Sequence, residues 1–158
     1  MVLIRRLLPS DRDEVIEVYR DAVRSQTVGL YSPVQIEAWA EHATRSTAVA
    51  EALARGHGLA SCKGPTGGSI EAFALLDPID RLSLLYCRGR SCRQGRGREL
   101  LLALEQQARL QNCRMLRTEA SQLSRPLLLR LGWQVEAEEE VLFADVVFRR
   151  WRMIKALD

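Results

Sequence analysis

A glycine- and arginine-rich segment, RGRSCRQGRGR at residues 88–98, joins a short apolar strand-like segment to a helical segment at residues 99–110. The chain must therefore adopt a fold in which a strand passes through a loop directly into a helix. The segment holds five arginines and no acidic residue. The 158-residue chain has 23 basic and 20 acidic residues, so outside this segment 18 basic residues face 20 acidic ones. The positive charge is local, which predicts an anion site and disfavours a general nucleic-acid-binding surface.

Hydrophobic periodicity along the rest of the chain predicts one α/β domain spanning residues 1–158. The predicted order is a strand, three helices, three antiparallel strands, a helix, a strand, a helix and two final strands. Serines at positions 10, 32 and 46 are candidate N-caps, and Gly56 is a helix stop. Strands are expected at residues 2–7, 57–63, 69–76, 81–87, 114–120, 133–140 and 141–154, and helices at 11–27, from 33, 46–56, 99–110 and 121–131.

Other features of the sequence exclude whole classes of protein. No apolar run approaches the roughly 18–20 residues of a membrane span, and the apolar stretch at the N-terminus is too short for a signal peptide. We therefore expect a cytoplasmic protein with no membrane partner. The four cysteines are separated by 25, 5 and 21 positions, which matches no zinc pattern. We expect reduced, packed cysteines and no metal.

The order strand, glycine-rich loop and helix is typical of phosphate binding. The first amides of a helix have no partner within the helix, and the helix dipole favours an anion there. A side chain at Gly95 or Gly97 would stand where phosphate oxygens are expected. The segment is not a P-loop, because no Lys-Ser/Thr pair follows the glycines, and it does not match the dinucleotide pattern GxGxxG.

Residues 84–101 resemble the acetyl-CoA loop of the GCN5-related N-acetyltransferase (GNAT) family, Q/R-x-x-G-x-G/A followed by a helix with paired leucines. Without gaps, Gly95 and Gly97 fall on the motif glycines and Cys92 on the first position. Two more segments resemble one bacterial subgroup of the family: YSPVQIEAWA at residues 31–40, similar to YSPxQIxAWA, and TEAS through RPLLLRLGW at residues 118–133, similar to EAS…RPFFxRxGF.

The resemblance implies a fold and a set of site residues. The fold is a mixed, mostly antiparallel central sheet with helices on both faces, whose splayed strands 82–87 and 114–120 form an acetyl-CoA cleft. Acetyl-CoA would be the cosubstrate, and the acceptor would be a primary amine on a small molecule or peptide. Tyr31 and Trp39 would line the acceptor pocket. The cofactor-binding residues would be Tyr86, Cys87, Arg93, Gln94, Gly95, Arg96, Gly97, Arg98, Ser121 and Arg125.

Candidates for proton transfer are few. Glu119 is the first candidate for the general base, and its alternative role is a structural carboxylate paired with an arginine. Many members of the family carry a tyrosine acid where this chain has Leu128, which cannot donate a proton. A thiol has a pKa of roughly 8.5, so the thiolate is a fair leaving group, and water or Tyr86 would protonate it.

Two other functions stay open at this level. The first is a non-enzymatic module of the same fold that binds an acyl-CoA or a partner protein, as Leu128 and Cys92 suggest. The second is a nucleic-acid binder, which is disfavoured because no aromatic residue lies between residues 88 and 98 to stack on bases. The sequence leaves open the identity of the acceptor and the formation of a homodimer.

Overall fold

A computed structural model describes residues 2–158, in which the chain forms seven strands and five α-helices. Short 3-10 turns lie at Pro9–Asp11 and Gly89–Ser91. The strands are β1 (Val2–Arg6), β2 (His57–Lys63), β3 (Ile70–Leu76), β4 (Arg81–Cys87), β5 (Met115–Ala120), β6 (Gln134–Phe143) and β7 (Val146–Ala156). The helices are α1 (Arg12–Gln26), α2 (Pro33–Arg45), α3 (Ala48–Arg55), α4 (Arg96–Leu110) and α5 (Arg125–Arg130).

The seven strands form one sheet in the order β1-β2-β3-β4-β5-β7-β6. Every neighbouring pair is antiparallel except β4 and β5, which are parallel. These two strands pair only at Arg81 with Arg117 and at Leu82 with Thr118, and they separate beyond Leu82. The predicted mostly antiparallel sheet is confirmed, and so is the divergence of its two central strands.

A hydrophobic core covers each face of the sheet, because alternate strand residues point to opposite faces. On one face, Ile70 and Phe73 pack among the apolar residues of α1, α2 and α3. On the other face, Leu100 and Leu104 of α4 pack with Leu128 of α5. The predicted placement of helices on both faces is confirmed.

The structure agrees with some of the predicted helix caps and differs at Ser10. Ser32 accepts a hydrogen bond from the backbone N–H of Gln35, as its predicted N-cap role requires, and Gly56 ends α3. Ser46 accepts from the backbone N–H of Ala48. The prediction for Ser10 was wrong: Ser10 lies inside a 3-10 turn, and Asp11 instead accepts from the backbone N–H of Leu8.

Two element boundaries also differ from the prediction. The last hairpin turns at Ala144 and Asp145, which both have positive φ, and not at residue 140. This turn lacks the Asn-Gly or Asp-Gly pair that usually marks a two-residue hairpin in a sequence. In addition, α4 begins at Arg96 and not at Glu99, so the last residues of the glycine-arginine segment form its first turn. Within residues 2–158, no helix combines the length and the apolar character needed to cross a bilayer.

Candidate active site

The gap between β4 and β5 exposes backbone hydrogen-bonding groups. Arg88 donates its backbone N–H to the Glu71 carbonyl of β3 at 2.8 Å. Because peptide groups alternate in direction along an antiparallel strand, those of Leu85 and Cys87 point away from β3, into the gap. The Cys87 carbonyl accepts from the Gln26 side chain. The N–H groups of both residues and the Leu85 carbonyl are therefore oriented toward a partner in the gap.

A β-bulge lies at the narrow end of this gap. The pairing of β3 with β4 shifts between Leu84 and Leu82, so Ser83 is an extra residue without a partner on β3. The bulge reverses the alternation of β4: Leu82 belongs to the core beneath α4, whereas Leu84 and Tyr86 belong to the opposite core. Tyr86 is thereby turned to the face that carries α1, α2 and α3.

The gap leads to the N-terminus of α4. Gly95 is the N-cap, with φ of 82°, and Arg93 also has positive φ, at 60°. The N–H groups of the first helical turn have no partner within the helix. A Cβ at Gly97 would lie 3.1 Å from Leu127 Cδ2, so glycine allows α4 to start close to α5. A backbone cradle with a local positive potential results.

Three of the five arginines in the segment contact other parts of the protein with their side chains: Arg88 and Arg96 are buried, and Arg90 is exposed but pairs with the buried Glu71. The charge of all five arginines is therefore not available to an anion, which corrects the interpretation from the sequence. Arg88 donates to the Ile70 carbonyl at 2.8 Å and to Glu17 at 3.0 Å. Arg90 pairs with Glu71. The Arg96 side chain is buried and donates from Nη1 to Ser61 Oγ at 2.9 Å, whereas its Nε has no hydrogen-bond partner within the described residues.

The side chains of the other two arginines and of Gln94 are on the surface. Arg93, Gln94 and Arg98 are exposed, and neither Arg93 nor Arg98 forms an ion pair with any residue of the described chain. Two arginines beside the start of α4 are thus available to an anionic ligand. Cys87 is half-buried, and burial raises the pKa of its thiol to about 11, so it is no thiolate nucleophile at neutral pH.

A cavity of about 350 Å³ lies beside β4 on the sheet face that carries α1, α2 and α3. Residues of α2, α3 and the β6–β7 hairpin line it. Its volume is in the range of small-molecule sites. It shares wall residues with the narrow gap between β4 and β5, and the shared residues are Trp39, Ser83, Leu84, Tyr86, Glu119 and Ser121. A molecule in the cavity and one in the gap would therefore meet at these residues.

Tyr86 and Trp39 form the floor where the two spaces meet. Trp39 donates from Nε1 to the Tyr86 hydroxyl at 3.0 Å, and the Tyr86 ring lies 4.3 Å from the Tyr19 ring. Burial raises the pKa of Tyr86 to about 12. The phenol stays protonated at neutral pH, and a group of this pKa is a weak acid for a thiolate.

Glu119 lies in the wall of both spaces and is paired with Arg81. Arg81 Nε lies 3.1 Å from Oε2 and 3.3 Å from Oε1 of the carboxylate. The structure thus shows the arginine partner that the alternative, structural role of Glu119 requires. The carboxylate also lies beside the gap, and a single Nε–H donor leaves lone pairs free on both of its oxygens.

Tyr31, Ser121 and Arg125 surround the end of β5. The Tyr31 hydroxyl accepts from the backbone N–H of Gln122 at 2.9 Å, and burial raises the pKa of this phenol. Ser121 Oγ accepts from the backbone N–H groups of Leu123 and Ser124. The Arg125 guanidinium lies 3.8 Å from the centre of the Trp151 ring. These contacts hold the turn after β5 beside the cavity.

Leu128 is fully buried in the core beneath α4. The Leu128 side chain therefore serves packing in this chain.

Several residues of the site belong to no sequence motif and were not predicted. Ser83, His42 and Phe143 become part of it only through the bulge and the tertiary packing. The burial of Glu71 in an ion pair could have been predicted from the sequence, because Glu71 is an acidic residue in the otherwise apolar strand IEAFALL. A charge in such a strand is buried with a partner.

Comparison with solved structures identifies the architecture. The chain is similar to a GCN5-related N-acetyltransferase from Rhodopseudomonas palustris, with 24% identity, a TM-score of 0.90, and coverage of 98% of this chain and 95% of that one. It is also similar to the PaiA N-acetyltransferase of Thermoplasma acidophilum, solved with coenzyme A, with 20% identity, a TM-score of 0.76, and coverage of 99% of both chains.

A third similar structure is a GNAT-superfamily phosphinothricin acetyltransferase from Sinorhizobium meliloti in complex with acetyl-CoA, with 16% identity, a TM-score of 0.66, and coverage of 99% of this chain and 88% of that one. No protein-family model and no curated protein matches the sequence. The diverging central strands, the glycine-capped helix and these similarities lead to one conclusion: the chain has the fold of the GCN5-related N-acetyltransferases.

Proposed function

We propose that the protein is an N-acetyltransferase that transfers the acetyl group of acetyl-CoA to a primary amine. The observation that carries the proposal is the continuous path from the N–H groups of Leu85 and Cys87, which point into the gap, to the N-terminus of α4. A strand edge suits an amide-containing chain, and a helix N-terminus beside two exposed arginines suits phosphates. Acetyl-CoA combines both, and two of the similar structures were solved with CoA or acetyl-CoA.

The residues present fit such a ligand. Gly97 leaves room at the start of α4, and the first-turn amides would receive the pyrophosphate. Arg93 and Arg98 would add charge-assisted hydrogen bonds, which are stronger than neutral ones. The loop is held in place from within the protein by Arg88, Arg90 and Arg96, so little ordering is needed on binding.

The chemistry would occur where the gap meets the cavity. The amine nitrogen attacks the thioester carbonyl carbon, the C–S bond breaks, and the products are an acetamide and the CoA thiol. A backbone N–H of Leu85 or Cys87 would stabilise the oxyanion. Glu119, held by Arg81, would accept the proton of the amine directly or through water.

The leaving thiolate needs no strong acid. The pKa of a thiol is roughly 8.5, whereas the pKa of Tyr86 is about 12, so proton transfer from this phenol to the thiolate is uphill. CoA therefore leaves as the thiolate in our proposal and is protonated in bulk solvent after it departs, and Tyr86 serves as part of the floor of the site. Leu128, which is buried away from water, takes no part.

Calorimetric titration with acetyl-CoA and CoA tests the proposal, followed by a thiol-release assay over a panel of amines. We expect micromolar binding and turnover with at least one amine. Absence of binding up to millimolar concentration would refute it. Tight binding without turnover on any amine would favour a module of the same fold that has lost transfer, as the buried Leu128 suggests.

A further inference from the structure

Resting on the proposed function, we infer that the acceptor is a monoamine carried on an aromatic ring system, and not a polyamine or a lysine side chain of a peptide. The inference concerns the cavity of about 350 Å³ on the α2 side of β4. Its shape and its charges both point to this class of acceptor.

The cavity is walled by aromatic side chains from three parts of the fold. Trp39, Tyr86 and Phe148 form one continuous aromatic wall, in which the Phe148 ring lies 6.2 Å from the Trp39 ring, and Phe143 of the β6–β7 hairpin extends it. The rings of Phe143 and Phe148 meet edge to face, at 5.6 Å and 86°. The His42 ring lies 4.3 Å from that of Phe143. Such walls offer both faces and edges of rings to a flat apolar ligand.

The ionisable rings of the cavity are neutral at physiological pH. Burial lowers the pKa of His42 below its ordinary value, so this imidazole is uncharged. Burial raises the pKa of Tyr86 to about 12, so its phenol is uncharged as well. A ligand seated among these rings meets no charge from them.

Two of the three carboxylates of the cavity are paired with arginines. Glu119 pairs with Arg81, and Asp77 pairs with Arg55 at 3.2 Å. The third carboxylate, Glu51, is exposed at the rim and accepts from the Thr47 hydroxyl at 3.1 Å. Arg149 and Arg150 line the same cavity. Arg149 pairs with Glu138 and Arg150 with Glu139. Of the three cavity carboxylates only Glu51, at the rim, has no arginine partner within the described residues, so a second ammonium group deeper in the cavity, as a polyamine would bring, finds no unpaired carboxylate.

The arrangement also sets the orientation of the acceptor. Glu119 and Ser121 lie at the end shared with the gap between the central strands, whereas Phe143 and His42 lie at the other end. An amine at the Glu119 end therefore places its ring system against Phe143.

The test compares phenylethylamine and tryptamine with spermidine and a peptide containing one lysine, in the thiol-release assay. We expect kcat/KM for the aromatic amines to exceed that for the other two by about tenfold or more. Replacement of Phe143, which is partly exposed, by Ala should raise KM for phenylethylamine about tenfold and leave the Kd for CoA unchanged. Leu142→Ala is the matched control, since Leu142 is an exposed residue of the same strand outside the cavity.

Calorimetric binding of phenylethylamine, with and without CoA, separates this inference from the function on which it rests. Binding that is lost in Phe143→Ala and kept in Leu142→Ala supports the acceptor class even if no transfer is detected. Turnover that favours spermidine or the peptide overturns the acceptor class and leaves the acetyltransferase intact. No binding of phenylethylamine to the wild-type protein also overturns it.

Discussion

The carboxylate of Glu71 on β3 lies against the guanidinium of Arg90, with 2.7 Å from Oε2 to Nη2 and 2.9 Å from Oε1 to Nε. The hydroxyls of Ser69 and Ser91 each donate to the same carboxylate at 2.6 Å. Only 1% of the Glu71 side chain is exposed. This cluster fixes the 3-10 turn Gly89–Ser91, which connects β4 to the proposed phosphate cradle.

Replacement of Glu71 by Gln should destabilise the protein in a pH-dependent way. The hydrogen bonds from Arg90 and the two serines lower the pKa of Glu71 well below its ordinary value. The stabilisation is therefore complete above the unfolded pKa of about 4.3 and is lost as the pH falls through the folded pKa. We expect a loss of about 2–3 kcal/mol at pH 7 in urea unfolding, which shrinks as the pH falls below about 4.

Glu99→Gln is the control for this prediction, because Glu99 is an exposed residue of the first turn of α4. Its unfolding free energy should stay within about 0.5 kcal/mol of that of the wild type. An equal loss for Glu71→Gln at pH 7 and pH 3 would show that the charge of Glu71 is not what stabilises the turn.

Arg93 and Arg98 should carry most of the side-chain charge that binds CoA. Both are exposed and unpaired within the described chain, whereas Arg88, Arg90 and Arg96 are engaged inside it. Arg93→Ala and Arg98→Ala should each weaken CoA binding about five- to tenfold and reduce its dependence on salt. Titrations at two salt concentrations measure both effects.

Arg45→Ala serves as the control, since Arg45 is an exposed arginine at the end of α2. Its affinity for CoA should be unchanged. If Arg93→Ala and Arg98→Ala behave like Arg45→Ala, the backbone of α4 alone holds the phosphates.

Gly97→Leu should abolish CoA binding in a folded protein. A Cβ at this position would lie 3.1 Å from Leu127 Cδ2, the end of a flexible side chain, so a small adjustment accommodates it. The rest of a leucine side chain would then occupy the space at the start of α4. We expect Kd for CoA to rise beyond detection with a Tm within about 5 °C of the wild type.

Gln106→Leu adds the same side chain at an exposed position of α4 and should bind CoA normally. Unchanged affinity in Gly97→Leu would mean that the start of this helix does not face the ligand.

The sequence predicted the order of strand, glycine-rich loop and helix because that order depends on local spacing, although the helix begins at Arg96 and not at the predicted Glu99. Gly95 and Gly97 are fixed by their positions relative to a strand and a helix, and the structure has that order. The roles of the arginines depend instead on residues far along the chain. Arg96 reaches Ser61 and Arg88 reaches Glu17, contacts that no spacing of residues 88–98 could reveal.

For the same reason, the sequence predicted only some of the aromatic residues that line the cavity. Tyr31 and Trp39 belong to a recognisable segment and do lie in its wall. Phe143 joins them because the hairpin turns at Ala144 and Asp145, three residues beyond the predicted strand end. Because the turn was predicted at the wrong position, Phe143 was not expected in the cavity wall.

Replacement of Glu119 by Gln tests the proton-transfer step. If the carboxylate accepts the proton of the amine, kcat should fall about 100-fold at neutral pH, and the acidic limb of the pH–rate profile should disappear. The Kd for CoA should not change, because in our proposal the cofactor phosphates bind at the other end of the gap, at α4. Steady-state thiol release across a pH series measures the first two effects, and calorimetry measures the third.

Glu51→Gln is the control within the same cavity, because Glu51 lies at the exposed rim and not at the gap. Its rate should be close to that of the wild type. The proposed role of Glu119 as the base would be contradicted by a Glu119→Gln variant with a lowered Tm and an unchanged kcat. That result would assign Glu119 to the ion pair with Arg81 alone, and water would then take the proton of the amine.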